Sequence, residues 1–312
     1  MDGLPENLSP VAVITCQRTL KSSICCVGIG LHSGANVRLS LHAAAPNTGI
    51  IFRRTDLNID IPGRFDLVSD TRLCTMLAHP DHPQARVGTV EHLMAAFAAA
   101  GIDNAIVEID GPELPVLDGS ADPYLFLIDC AGRLDQAAPR RVVEVLRTIR
   151  VESGEGFAEL RPSTSGLTLS VSIDFSAAAI GRQALTLPLT EDSFRAELAT
   201  ARTFTLAAEI NAMRNAGLAR GGSLQNAIVV DGATILNPEG LRSPDEFVRH
   251  KMLDAVGDLA LAGATLQARF IAHRPGHALN NQLLRTLFAD TSAWRYASPA
   301  AAMSLSLAAR AA

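Results

Sequence analysis

Hydrophobic positions along the chain change period several times, and each change marks an element. "NVRLSLHA" (36–43) sets Val37, Leu39 and Leu41 between polar neighbours, the alternation of a strand with one buried face. "GIIFRR" follows a Pro-Asn-Thr-Gly turn and reads as a second strand. "TVEHLMAAFAAA" (89–100) then reads as a helix, with Thr89 as its N-cap and Gly101 as its stop. "NAIVEI" (104–109) is a strand, and "DGSADPYLFLIDCAG" opens with turn residues and continues as a helix. The second half runs in the same order. "RVVEVLRTIRV", "FAELRP" and "LTLSVSIDF" predict strands, and an irregular middle follows. A helix over 247–262, the strand "LQARFIAH" and the helix "HALNNQLLRTLFA" complete it. This order predicts an α+β protein of two similar domains, 1–136 and 137–312, joined near "GRLDQAAPRR" (132–141). The halves share no obvious residue-level repeat. The second carries an additional stretch, "TFTLAAEINAMRNAGLARGG" (203–222), where Leu206, Ile210 and Met213 have helical spacing. That predicts a short helix projecting from the sheet.

The bulk numbers narrow the possibilities. The 312 residues suffice for two ordinary domains, and 48% hydrophobic with 19% charged is globular composition. A net charge of −5 without a dense Lys/Arg run excludes a broad phosphate-neutralising surface, so no nucleic-acid partner is expected. Five cysteines, odd in number and with Cys25 and Cys26 adjacent, suit reduced thiols better than a disulfide framework. The start, "MDGLPENLSP", is acidic and unlike a secretory signal. No apolar run reaches the roughly 20 residues that span a bilayer. A cytoplasmic protein is expected, one still able to meet a lipid-like substrate at a membrane surface.

Against this background the helix "FVRHKMLDAVGDL" (247–259) stands out. At about 100° per residue, His250, Asp254 and Asp258 form one stripe with Lys251 beside it, while Met252, Val256, Leu259 and Ala260 face away. His250 and Asp254 at i, i+4 can reach one metal ion from one helix face; the same spacing also suits a solvated face or a helix ion pair. Glu91-His92 is a second candidate, a ligand beside a base acting on water. Its plainer reading is an acidic residue favouring a helix N-terminus next to a core histidine. His277 opens a helix after a Pro-Gly turn, where the helix dipole disfavours imidazolium and a carboxylate such as Asp258 would favour it. His79 and His82 read as surface-loop residues, and Cys74 as a small buried one.

A series of segments carries a resemblance that no single one would. In order they are "GIGLHSG", "LCT", "TVEHLMAAFAAAGIDNAIVEIDGPELPVLDGSA", "ARTF", "GGSLQNAIVV", "DEFVRHKMLDAVGDL" and "GHALNNQLL". From about residue 14 to 290 the chain resembles the UDP-3-O-acyl-N-acetylglucosamine deacetylases, zinc amidases of lipid A synthesis in Gram-negative bacteria. The resemblance implies two domains, each an α/β sandwich of sheet and helices, with the active site between them. It implies zinc, or ferrous iron in the cell, held by His92, His250 and Asp254. Glu91 is then the general base. His277 is the charged partner of the oxyanion or leaving amine, oriented by Asp258, and Thr203 donates to the oxyanion. Lys251 and Arg274 fall toward the nucleotide-sugar end. The stretch over 203–222 corresponds to a hydrophobic passage for the acyl chain, so Phe204, Leu206, Ile210 and Leu218 are expected to line it, together with Phe175. The implied substrate is a UDP-linked acylated amino sugar, and the family implies a monomer.

Two positions depart from the family pattern. The His-Pro that commonly follows the strand ending at Phe175 is missing from "FSAAAIG", and a lysine common in the preceding hairpin is replaced near Gly156. Both lie toward the nucleotide end, so they touch uridine and diphosphate contacts rather than hydrolysis. They leave open a zinc hydrolase of another N-acyl substrate. A non-catalytic carbohydrate- or nucleotide-binding protein is the third reading, and the complete set Glu91, His92, His250, Asp254 and His277 argues against it.

Overall fold

The structure is a computed structural model, and it describes residues 16–297; the acidic start "MDGLPENLSP" lies outside them. Two sheets organise the chain. In the first half a five-stranded sheet runs in the spatial order Ile24–Ile29, Asn36–Ala43, Ala105–Ile109, Ile50–Arg54, Ile59–Pro62. Ala105–Ile109 is antiparallel to Asn36–Ala43 and parallel to Ile50–Arg54. A parallel neighbour requires a crossover. Here that crossover contains the helix α1 (Glu91–Ala100), and α2 (Asp122–Ala131) follows the strand.

A seven-stranded sheet forms in the second half around Thr265–His273, which is antiparallel to Gly156–Pro162 and parallel to both Leu167–Asp174 and Val142–Val145. Its preceding elements include α3 (Glu191–Glu197), α4 (Ala207–Asn215) and α5 (Glu246–Ala260), and α6 (His277–Ala289) follows it. Thus α1, Ala105–Ile109 and α2 stand in the same order as α5, Thr265–His273 and α6. The strands alternate as read from sequence: Leu167–Asp174 buries every second residue. Among the described residues no helix is long and apolar enough to cross a membrane. All five cysteines are unpaired.

Several local expectations change. Helix α1 begins after Val90, not Thr89: Thr89 has φ 56° and its hydroxyl donates to Glu113 at 2.9 Å, so it caps nothing. Gly101 does stop the helix, at φ 67° with its N–H turned back to Ala98 and Phe97. Most of the stretch 132–141 is a strand, Arg133–Pro139, paired antiparallel with Cys16–Leu20. The irregular middle contains the strand Arg182–Pro188 and α3, whose capping box joins Thr190 and Ser193. The extra stretch opens with a strand, Phe204–Leu206, parallel to Ile228–Asp231. Its helix α4 has no buried residue, as a projecting element should.

One contact between the halves places the chemistry. Helices α1 and α5 cross where α5 carries Gly257; a Cβ there would lie 2.0 Å from the Glu91 carbonyl oxygen. Only a residue without a side chain permits that approach. It brings the first turn of α1 against the polar stripe of α5, which is therefore buried rather than wetted: His250, Asp254 and Asp258 are at most 4% exposed.

Candidate active site

His92 leaves the first turn of α1, and His250 and Asp254 leave α5 one turn apart. Their donor atoms all lie within 4.8 Å of one another. His250 Nε2 is 3.3 Å and His92 Nε2 3.6 Å from Asp254 Oδ1, and the two rings stand edge to face at 5.0 Å. Asp254 Oδ1 is buried without a hydrogen-bond partner among the described residues. An unpaired buried carboxylate oxygen facing two imidazole nitrogens is costly unless a cation joins them. Two nitrogens and one oxygen are the donor set of a catalytic zinc site with an open position. Burial pushes His250 down to about 4, which keeps the ring in its neutral, ligating form. Its Nδ1–H donates to the Ala201 carbonyl at 3.0 Å, leaving Nε2 free for a metal. Burial alone would raise the Asp254 carboxyl, yet its charged surroundings hold it well below the usual range. The His250 ring and the Lys251 ammonium, the latter at 2.8 Å, do most of this lowering, with His92 and His277 adding to it.

A second set of groups adjoins the triad. His277 Nδ1 lies 2.9 Å from Asp258 Oδ2, and its Nε2 lies 3.7 Å from Glu91 Oε1. Burial works against a charged ring, but Asp258 and Glu91 outweigh it and raise His277 to about 9. Asp258 is itself fixed by the Thr75 hydroxyl at 2.5 Å and the Asn280 amide at 2.8 Å. The Thr75 backbone N–H donates to Glu91 Oε2 at 3.0 Å. Burial raises the Glu91 carboxyl above its ordinary value, with His277 and His92 opposing. Thus a buried carboxylate with raised affinity for protons and a charged imidazolium flank the candidate metal triad.

The profile of the UDP-3-O-acyl N-acetylglycosamine deacetylase family matches residues 17–289. The chain belongs to that family. It is 48% identical over 286 residues to the UDP-3-O-acyl-N-acetylglucosamine deacetylase of Chromobacterium violaceum, covering 90% of this chain and 93% of that one. The deacetylase of Phenylobacterium zucineum is 48% identical over 282 residues, covering 89% and 95%. That of Actinobacillus pleuropneumoniae is 45% identical over 284 residues, covering 90% and 92%.

In this member of the deacetylase family the remaining expected residues divide into two groups. Phe204 sits beside the candidate triad, 6.3 Å from the His250 ring and 5.5 Å from Phe175, with the Lys251 ammonium 5.7 Å over its face. Thr203 precedes it, half-buried, its N–H donating to Gly119 at 2.8 Å. Leu206 packs against the core, whereas Ile210 and Leu218 are half-buried and stand outside it. Arg274 is not gathered into the triad. It pairs with Glu155 and, at 3.6 Å, with Asp174. Beside it Gly156 is tightly enclosed: a Cβ there would meet the Arg274 carbonyl at 3.1 Å. Pattern reading missed Thr75, Asn280 and His32. Thr75 and His32 stand in the quoted segments "LCT" and "GIGLHSG", yet neither has a local spacing that signals a role. His32 is half-buried with both ring nitrogens unpartnered among the described residues, and burial lowers its pKa.

Proposed function

We propose that this chain hydrolyses the acetamide of UDP-3-O-acyl-N-acetylglucosamine, giving the free amine and acetate, with zinc at His92, His250 and Asp254. The observation that carries the reading is the unpaired Asp254 Oδ1 facing two imidazole nitrogens beside an ionisable carboxylate and a charged histidine. The same donor set accepts ferrous iron. A bound ion supplies Lewis acidity toward water and the amide carbonyl.

Every other role falls to the chain. Glu91 takes a proton from the attacking water; its raised proton affinity suits a base working near neutral pH. His277, held charged by Asp258, donates toward the developing oxyanion, and the departing nitrogen takes its proton from Glu91 or His277. Thr203 adds a hydroxyl donor to the oxyanion. Lys251 and Arg274 face the nucleotide-sugar portion, and Phe175, Phe204, Leu206, Ile210 and Leu218 line the acyl passage. We assign the first domain to 1–136 and the second to 137–312, with a monomeric enzyme acting in the cytoplasm. The deciding experiment couples metal analysis to acetate release from the UDP-linked substrate. Turnover that needs about one bound zinc per chain is expected; full activity in metal-free protein would sink the reading.

A further inference from the structure

His250 takes its tautomer from a carbonyl in a segment that has no regular structure of its own. Ala201 to Thr203 lie between α3 and the strand Phe204–Leu206. A carbonyl in such a segment holds a ring only if something else fixes its peptide plane.

Glu246 does so. It lies in the first turn of α5, one turn before His250, and is wholly buried. The Arg202 backbone N–H donates to Glu246 Oε1 at 3.1 Å, while the Ala201 carbonyl accepts from His250 Nδ1 at 3.0 Å. That N–H and that carbonyl belong to one planar peptide unit and point in opposite directions. The unit is strung between two residues four apart on the same helix, so its orientation is set at both ends.

The Arg202 side chain closes the arrangement. Its guanidinium is 2% exposed and reaches the same carboxylate through Nε at 2.9 Å and Nη2 at 3.2 Å. Further bonds run to Glu239 at 2.7 Å and to the Gly240 carbonyl at 2.8 Å. Glu246 also accepts the Arg242 N–H at 2.6 Å. A guanidinium keeps its charge and presents a rigid fork, so this contact fixes geometry as well as charge. The following residue is clamped as well: Thr203 donates to Gly119 and accepts from Ile228, both at 2.8 Å.

We propose that Arg202 and Glu246 are positioning residues for the hydrolysis: their buried ion pair locks the Ala201–Arg202 peptide plane, and through it the tautomer and angle of His250 and the placement of Thr203. The proposal rests on the reading of His250 as a metal ligand.

The test uses the full-length chain and cobalt(II) as the probe ion. Arg202→Met, Arg202→Lys and Glu246→Gln are compared with wild type for thermal midpoint, cobalt affinity by chelator competition, visible cobalt absorption, kcat and KM. Variants are read at a temperature where each is folded. Loss of a group that orients a metal ligand costs about ten- to a hundredfold in metal affinity. A fall of that size is expected, with an altered cobalt spectrum and a kcat loss at nearly constant KM. Arg202→Lys, which keeps the charge but loses the fork, should not restore the spectrum. Wild-type cobalt affinity and spectrum in folded variants with lowered midpoints would make the pair merely structural and overturn the proposal. If Arg202→Met does not fold, Arg202→Lys and Glu246→Gln decide the matter by the same measurements. His250→Ala serves as the reference: unchanged cobalt affinity there would instead overturn the ligand assignment.

Discussion

His277 and Asp258 meet at 2.9 Å in a buried site, Nδ1 to Oδ2, with Asn280 donating to that same oxygen and Thr75 to the other. The carboxylate is thereby held in one orientation, and the imidazole opposite it is raised to about 9 despite burial. The pH dependence of kcat/KM should therefore be a bell. Its acid limb reflects Glu91, raised above 4.5 by burial, and its basic limb falls through about 9 as His277 loses its proton. Asp258→Asn removes the charge that does most to hold the proton, so the basic limb should move to lower pH. An unchanged basic limb would assign that limb to another group. The same shift bears on stability. Because the folded-state value lies above the ordinary 6.5, protonated His277 stabilises the fold fully below pH 6.5, and that contribution disappears as pH rises through 9. Urea midpoints measured at pH 6 and pH 10 should differ less in Asp258→Asn than in wild type.

Glu91 and His92 are neighbours with separate assignments, and substitution should separate them. Glu91→Ala is expected to keep its metal and lose about 10²- to 10⁴-fold in turnover, the usual loss of a general base. His92→Ala and Asp254→Ala should lose metal and turnover together. Metal content per chain beside acetate release distinguishes the two patterns. Loss of metal from Glu91→Ala to the same degree would make Glu91 part of the metal site rather than the base.

Much of this arrangement is written in local pattern, and the remainder depends on distant partners. The alternation at 36–43, the helical periods of α1, α5 and α6, and the His250–Asp254–Asp258 stripe all follow from spacing. Whether that stripe was wet or buried did not, because burial comes from α1, more than a hundred residues earlier. Gly257, which admits α1, looks like any glycine within a helix. Thr75 reaches Asp258 across 183 residues, and no local signal marks such a pair. Arg133–Pro139 reads as a linker because its strand partner, Cys16–Leu20, stands at the other end of the first half. Thr89 matches the chemistry of an N-cap, but its hydroxyl is taken by Glu113. Propensity gives way there to a tertiary hydrogen bond.

The proposed acyl passage predicts a dependence on chain length. Ile210 and Leu218 are half-buried yet contribute nothing to the core, so shortening them should leave the fold and metal content intact. Each methylene buried in an apolar groove is worth about 0.8 kcal/mol, roughly fourfold in affinity. In wild type, KM should fall as the acyl chain lengthens, until the groove is filled. In Leu218→Ala that dependence should flatten, with KM for a long-chain substrate rising several-fold and KM for a short-chain one unchanged. Equal losses on both substrates would place Leu218 outside the passage.

Gly257 tests how closely the two halves must approach for chemistry. A methyl group there would overlap the Glu91 carbonyl, at 2.0 Å from its oxygen, and that oxygen is backbone that no rotamer change can move. Gly257→Ala must therefore push α1 away from α5. Overpacking of this kind typically costs about 1–3 kcal/mol, which lowers the thermal midpoint of a chain this size by several degrees. Ala is intrinsically the better helix former by roughly 1 kcal/mol, so part of that loss is offset within α5 itself. The site has no such compensation. His92 and Glu91 move with α1, while His250, Asp254 and Asp258 stay on α5, so the triad should widen and metal affinity should fall by more than the small stability change suggests. Cobalt titration at a temperature well below the midpoint measures this directly. Wild-type affinity in a destabilised Gly257→Ala would mean that the helices part elsewhere and the triad tolerates it.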